Sequence, residues 1–488
     1  MASALDVKRL GLGLIATALM AVLIFFGTGL DPFWPLMWFA PLPVLLFANR
    51  ASWWGAALAA GFGVMLGILN LWGVFHGLLQ APLPVLAQIY LSEGIAYALA
   101  ISLYRALLQR GAHWMALLAF PAVIVAFEFF LHVTSPHGTS GSLAYSQLHF
   151  LPFLQLASIT GPWGMSFLLL AFSTAFAIGW HLRARLPRTA LQMVGGTMAV
   201  LAVVLVFGTV RLFTHQPGEK LTVGLVASDG VDEANDLVLD PGAPADKLFA
   251  QYATSVQALA AQGARVVVLP EKIAVVLDGK TTDATDAFFE KLVDSTGVGI
   301  VVGVIRGADG KAYNEARVYL PGRPPASYDK EHMLPPFESN LTPGTALTVL
   351  PHGDMTWGVE ICKDMDFTPL SAAYGKQKVG LMLVPGWDFV ADKIFHGHMA
   401  IMRGVESGFS IVRSAKQGSL FVSDDRGRIL SEITSDAAPF TTLLVTVPTG
   451  HDDTFFDLMG DWVAYLTLLV LLGAVGCLIW LRKRPVQR

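Results

Sequence analysis

Charged residues are scarce in this 488-residue chain, 14% against 54% hydrophobic. A soluble domain carries about a quarter charged residues, so the deficit calls for lipid rather than a larger core. Cysteine is equally sparse, with only Cys362 and Cys477. Cys477 lies in an apolar C-terminal run, which makes a disulfide between them implausible. The count also excludes structural zinc sites built from several thiolates. No run of Lys and Arg suggests a phosphate-binding surface, and a net charge of −4 is small for this length. That charge argues neither for nor against nucleic acid, but without a basic run nucleic acid is not an expected partner. A G-x-S-x-G elbow is missing, as are internal repeats and low-complexity segments. Gly11-Leu12-Gly13 sits inside an apolar span with no strand before it, so helix packing explains it better than dinucleotide binding.

What the chain has is long apolar runs. A membrane span needs roughly 20 mostly apolar residues, and candidates fall near 9–29, 33–48, 54–76, 83–104, 115–133, 152–180, 190–213 and 462–481. The second is short and proline-rich, which predicts tilting or interruption. The first is too long for a signal peptide and lacks a small-residue cleavage site before Asp31. Basic residues then set the orientation. Lys8 and Arg9, Arg50, Arg105 and Arg110, then Arg183, Arg185 and Arg188, and finally Arg482, Lys483 and Arg484 fall on one side. The opposite loops 30–32, 77–82 and 134–151 hold no Lys or Arg. About eight spans, in a multi-pass protein with both termini cytoplasmic, would put the long segment 214–461 on the outer face. The expected division is a transmembrane domain at 1–213, an outer domain at 214–461, and a last helix with a basic tail at 462–488. Loop 134–151 carries His137 among Gly and Ser; a turn-rich connector packing under the outer domain suits it better than a Ser-His pair.

From about 220 the texture changes. Short apolar runs, Leu221–Ala227, Arg265–Pro270, Gly299–Ile305, Met355–Cys362, Val379–Val384, Ser410–Ser414 and Thr441–Val447, predict buried strands. Helix-length stretches at 245–262, 283–295 and 394–407 lie between several of them. This alternation predicts an α/β domain of about 240 residues. Glu271, Lys330 and Cys362 each follow such a run or its turn, and functional groups in α/β sheets gather at strand ends. A carboxylate can take a thiol proton, a thiolate can attack a carbonyl, and an ammonium can stabilise the resulting oxyanion. On count alone a lone cysteine is more often a buried, inert thiol. His396 and His398, two residues apart on one predicted helix, face different sides, so they are expected to orient backbone or carboxylate groups rather than form a paired metal site.

The stretches VVLPE with Glu271, YDKEHMLPPFE with Lys330, and GVEIC with Cys362 resemble the Glu–Lys–Cys signature of the nitrilase, or carbon–nitrogen hydrolase, superfamily. The run HGHMAIMRGVESGFSIVRSAKQG is similar to the superfamily's helix and strand after the nucleophile, with His396, Arg403, Glu406 and Arg413 in place. LPFLQLASITGPWGMSFLLL, the eight spans and the position of the insert narrow the resemblance to the apolipoprotein N-acyltransferase family, over nearly the whole chain. The resemblance implies an α-β-β-α sandwich beside the polytopic helical domain, with Glu271, Lys330 and Cys362 catalytic and Glu338 as a second, supporting glutamate. It further implies a bacterial inner-membrane acyltransferase, its catalytic domain periplasmic, working through an acyl-thioester. A membrane phospholipid would be the donor, and the amine of a diacylglyceryl-cysteine lipoprotein the acceptor. Neither metal nor diffusible cofactor is implied, and the expected state is a monomer. The alternatives are a membrane-anchored amidase and a paralogue acylating another amine.

Departures from the family pattern cluster near the nucleophile. Tyr-Glu usually follows the cysteine, whereas this chain has Lys363-Asp364. Asp364 replaces the acid one methylene shorter. Lys363 adds a cation that would favour the thiolate or hold an anionic head group, unless it is solvated and points away. The family's tryptophan early in the outer domain has no counterpart in LVASDGVDEANDL. Trp387 and Asp388 suggest a lid, and Met333, Phe337, Met365 and Phe367 an acyl groove, although core packing is the commoner role for such residues.

Overall fold

The computed structural model describes residues 4–214, 218–229, 245–277 and 279–482. It divides into two compact units. One comprises Met1–Thr134, Gly141–Leu212 and Asp461–Arg488; the other comprises Ser135–Ser140 and Phe213–Gly460.

The first unit is helical. Among the described residues, seven of its helices are long and apolar enough to cross a membrane: Lys8–Gly27, Trp53–Leu71, Leu83–Leu108, His113–Thr134, Ala157–Leu182, Pro187–Phe213 and Trp462–Arg482. The remaining predicted span is interrupted. It forms a 3-10 turn at Trp34–Trp38 and a short helix at Leu42–Ala48, because Pro35, Pro41 and Pro43 remove backbone donors and set φ. Small residues let helices approach closely: a Cβ on Gly61 would lie 2.9 Å from the Gly94 carbonyl oxygen. The buried Glu128 accepts hydrogen bonds from the Leu143 amide at 2.9 Å and the Ser142 hydroxyl at 3.1 Å. Gly161, at φ +61°, turns the chain ahead of Pro162 inside Ala157–Leu182.

The second unit is an α-β-β-α sandwich. Its first sheet takes β1 (Lys220–Ala227), β2 (Val266–Val268), β3 (Ala274–Val276), β4 (Gly299–Ala308), β5 (Lys311–Tyr319) and β6 (Ala326–Asp329). The second runs through β7 (Val349–His352), β8 (Met355–Val359), β9 (Leu381–Trp387), β10 (Ser410–Lys416), β11 (Ser419–Ser423) and β12 (Ile429–Thr434). β13 (Thr441–Pro448) returns to pair with β1 antiparallel, giving the order β13-β1-β2-β4-β5-β6, with β3 also on β4. The second sheet is ordered β12-β11-β10-β9-β8-β7.

β-branched and aliphatic residues of β1, β2, β8, β9 and β10 interdigitate between the sheets, among them Val223, Leu225, Val268, Val359, Leu383 and Val412, all fully buried. Each such side chain contributes about 1.5–3 kcal/mol on leaving water. Helices Ala245–Ala261 and Gly279–Thr296 cover the outside of the first sheet through Leu248, Phe249, Val256, Phe289 and Leu292. Parallel pairing runs through β1-β2-β4 and β8-β9-β10. The carboxyl ends of β2, β8 and β9 thereby collect the polar groups that follow them.

Candidate active site

Glu271 leaves the end of β2 two residues beyond Leu269, and its amide donates to the Gly386 carbonyl near the end of β9 at 3.2 Å. The Cys362 thiol lies 3.5 Å from the next carbonyl, that of Trp387. The end of β9 thus bridges the two sheets and brings two sequence-predicted residues to one place. Lys330 follows β6 and is fixed by its amide on the Asn314 carbonyl at 2.8 Å. Its ammonium reaches Glu271 Oε1 at 3.1 Å and Glu338 Oε2 at 2.9 Å. All three side chains are almost wholly buried. Asn314, which the sequence reading did not single out, donates to both carboxylates, at 2.6 Å to Glu271 and 2.8 Å to Glu338. Lys272, also missed, adds a second ammonium 2.6 Å from Glu338.

Burial alone would lower the proton affinity of Lys330, but Glu271 and Glu338 overcome it and hold the lysine well above its ordinary range. Burial would raise Glu338, yet Lys330 and Lys272 pull it below the usual carboxylate range. Lys330 is therefore a fixed ammonium and Glu338 a fixed carboxylate at neutral pH.

Cys362 begins a 3-10 turn, Cys362–Asp366, at φ +46°. A side chain in that region costs about 1–3 kcal/mol and persists only where its surroundings dictate it. Asp364 supplies part of that constraint: its carboxylate accepts from the Ile361 amide, the Tyr328 hydroxyl at 2.8 Å and the His332 amide at 2.8 Å. Lys363 is buried rather than solvated, with its ammonium 3.4 Å from both Asp366 and His137.

A second polar group faces the thiol. Arg413, from β10, places Nη2 3.8 Å from Cys362 Sγ and grips Asp388 through both terminal nitrogens, at 2.7 and 2.5 Å. His396 sets Nδ1 2.9 Å from Asp388 and Nε2 3.5 Å from Asp366. Burial opposes its protonation, but Asp366 and Asp388 reverse that and hold the imidazole well above its ordinary value. Cys362, Asp388 and His396 lie within 4.8 Å of one another. The donor types suit a metal ion, but the Arg413 guanidinium already occupies Asp388, so the set reads as a hydrogen-bonded frame for the thiol.

Trp387 is half-buried, with the Lys416 ammonium 3.7 Å and that of Lys272 5.2 Å from its ring centre. Phe337 is exposed and lies against Phe389 at 5.5 Å. Met333 is half-buried, and Phe367 stacks on His332 at 3.5 Å. Met365 is buried. The segment expected to lack the family tryptophan lies largely outside the described residues.

Asp388 offers a test of this frame. Burial would raise its carboxyl, but Arg413 and His396 bring it down to about 2. Its contribution to stability is therefore complete above the ordinary aspartate value and lost as pH falls through about 2. Asp388→Asn should cost on the order of 3 kcal/mol at pH 7, because the buried Arg413 loses its counter-charge and His396 keeps only Asp366. In denaturant titrations the gap to the parent should close on acidification below pH ~4. A gap unchanged from pH 7 to 2 would show that Asp388 contributes shape rather than charge.

Two family models match. One, the apolipoprotein N-acyltransferase N-terminal domain, covers residues 16–175; the other, carbon–nitrogen hydrolase, covers 242–447. An apolipoprotein N-acyltransferase of Geobacter metallireducens is 26% identical over 88% of this chain and 88% of its own length. One from Pseudomonas aeruginosa is 26% identical over 78% of each. Among solved structures, an amidase from Nesterenkonia sp. aligns at 19% identity over 51% of this chain and 97% of its own, with a TM-score of 0.41. One model falls on the helical unit and the other on the sandwich, and the relatives that the chain resembles over most of its length are apolipoprotein N-acyltransferases.

Proposed function

We propose that this chain is a phospholipid-dependent N-acyltransferase that acylates the amine of diacylglyceryl-cysteine lipoproteins through a thioester on Cys362. The observation that carries the reading is the buried Glu271–Lys330–Glu338 cluster, built at the strand ends where the Cys362 thiol also emerges. In the first step Glu271 takes the thiol proton and Sγ attacks an ester carbonyl of the phospholipid. The Lys330 ammonium stabilises the oxyanion. The C–O bond then breaks, the proton passes from Glu271 to the leaving oxygen, and a lysophospholipid departs. In the second step the lipoprotein amine attacks the thioester and gives a proton to Glu271. The C–S bond breaks and the proton returns to sulfur. One difficult transfer thereby becomes two easier ones.

Seven apolar helices make this a membrane protein. With the interrupted segment Trp34–Ala48 as an eighth crossing, we place it in the bacterial inner membrane with both termini cytoplasmic and residues 214–461 periplasmic, on the distribution of Lys and Arg among the loops. Such a layout would present the site to donor and acceptor lipids anchored in the outer leaflet. A C-terminal alkaline phosphatase fusion should be inactive, and one at the 77–82 loop active; the reverse would overturn the orientation.

Incubating the purified full chain with labelled phospholipid should give a hydroxylamine-sensitive adduct on Cys362 that moves to an added amine. An adduct that hydrolyses whatever amine is offered would favour the amidase alternative. For the acceptor, the chain should restore triacylated lipoprotein in a Gram-negative cell depleted of its own enzyme. Good expression without restoration would favour another amine.

A further inference from the structure

Residues 135–140 come from between two apolar helices, yet they group with the sandwich. They meet it at the turn that carries the nucleophile. The Thr139 amide and hydroxyl both donate to the Asp366 carbonyl, at 2.9 and 2.8 Å. Gly138, at φ +53°, lies so close to that carbonyl oxygen that an added Cβ would overlap it. His137 Nδ1 lies 3.4 Å from the Lys363 ammonium. Burial, then Lys363, lower the His137 imidazole to about 4, which leaves it neutral and able to accept that hydrogen bond.

These contacts hold the second and last residues of a five-residue turn whose first residue is held at a positive φ. Asp366, at its far end, pairs through its carboxylate with Lys363 and with the His396 imidazole beside the thiol. Moving the Asp366 carbonyl would therefore shift Sγ along the turn and disturb the imidazole facing it. The Asp364 carboxylate does not pin the Asp366 carbonyl; its partners lie at 361, 328 and 332.

We infer that Gly138 and Thr139 are positioning residues for the nucleophile: the loop clamps the Asp366 carbonyl and so fixes Cys362 in its attacking geometry. The inference rests on the proposed role of Cys362 and adds a determinant of its geometry far away in sequence. A bulkier residue at 138, or the loss of the hydroxyl at 139, should slow formation of the thioester without changing how donor lipid binds.

The test uses the full chain in detergent micelles, with phosphatidylethanolamine carrying a labelled acyl chain. Gly138→Ala should lower the rate constant for thioester formation about 100-fold, the scale of a roughly 1 Å misplacement, with KM for donor within about twofold. Thr139→Val should lower it about tenfold, and Thr139→Ser should restore most of the loss. Alkylation of Cys362 by iodoacetamide, read by mass spectrometry with Cys477 as internal reference, should slow in parallel. Unfolding temperatures separate misplacement from misfolding, and Thr139→Val covers the case in which Gly138→Ala does not fold. Parental rates of both reactions in folded variants would overturn the inference. If the parent itself forms no adduct, the acyltransfer mechanism fails, while the alkylation rates still decide whether the loop sets the thiol's geometry.

Discussion

Cys362→Ala is expected to abolish the acyl adduct and to lower acyl transfer by at least ~10⁴-fold, because no other group among the described site residues can carry a thioester. Cys362→Ser should fall nearly as far, since a hydroxyl gives up its proton much less readily than a thiol. Stability should respond in the opposite sense to the usual core truncation. At φ +46° the site favours glycine, so Cys362→Gly should be at least as stable as the parent, by up to about 1 kcal/mol. Adduct formation and thermal unfolding on the same preparations check both parts. Residual transfer within tenfold of the parent would sink the mechanism. A clear loss of stability in the glycine variant would show that the thiol's contacts outweigh the backbone strain.

Lys330→Met is expected to damage activity and stability together. Glu271 and Glu338 would keep Asn314 and Lys272 as partners, with the Leu334 amide on Glu338, in a buried site. Leaving buried charge uncompensated costs about 3–5 kcal/mol, and losing the oxyanion's cation should lower kcat/KM by about 10²–10³-fold. The pH dependence follows from the two directions. Lys330 is raised, so its contribution is complete below the ordinary lysine value and falls only as pH rises beyond it. Glu338 is lowered, so its contribution is complete above its ordinary value of 4.5 and is lost on acidification. The stability gap between variant and parent should therefore be flat from about pH 5 to 9 and narrow on the acid side. Adding Glu338→Gln to Lys330→Met should return part of the stability and none of the activity. Recovery of both would show that Lys330 only balances charge.

Much of the sandwich was legible because its central strands are runs of Val, Ile and Leu that both layers bury. Leu221–Ala227 and Thr441–Val447 were read to within a residue or so, and the latter pairs with β1 along its whole length. β5 was not legible. Its KAYNEARVY alternates charge with small residues, and Glu315 is buried only because Arg306 and Arg317 accompany it. β11 and β12 escaped for a similar reason, their serines and charges masking the period. At the site, residue types identified Glu271, Lys330 and Cys362, and the resemblance added Glu338. Asn314 gave no signal, since an asparagine in a polar strand is unremarkable until both carboxylates arrive beside it. Asp388 was read as part of a lid, Arg413 only as matching a family position, and His396 as one that orients backbone or carboxylate groups, which its contacts with Asp388 and Asp366 bear out. Their shared contact with the thiol arises from strand order, which spacing does not encode. The contact of His137 with Lys363 spans 226 residues.

The cluster of Glu271, Glu338, Lys330 and Lys272 closes its own charge, two negative and two positive, around one asparagine. Such a set has little freedom to drift one residue at a time. Any single neutral replacement strands a charge in the interior, so a lineage that altered one member would have to alter its counter-ion almost at once, crossing a weakened intermediate on the way. Aromatic and aliphatic neighbours such as Phe337 and Met333 carry no such debt and can vary independently. Changes in which lipid or amine the enzyme accepts would accordingly arise around the cluster while its chemistry stays in place.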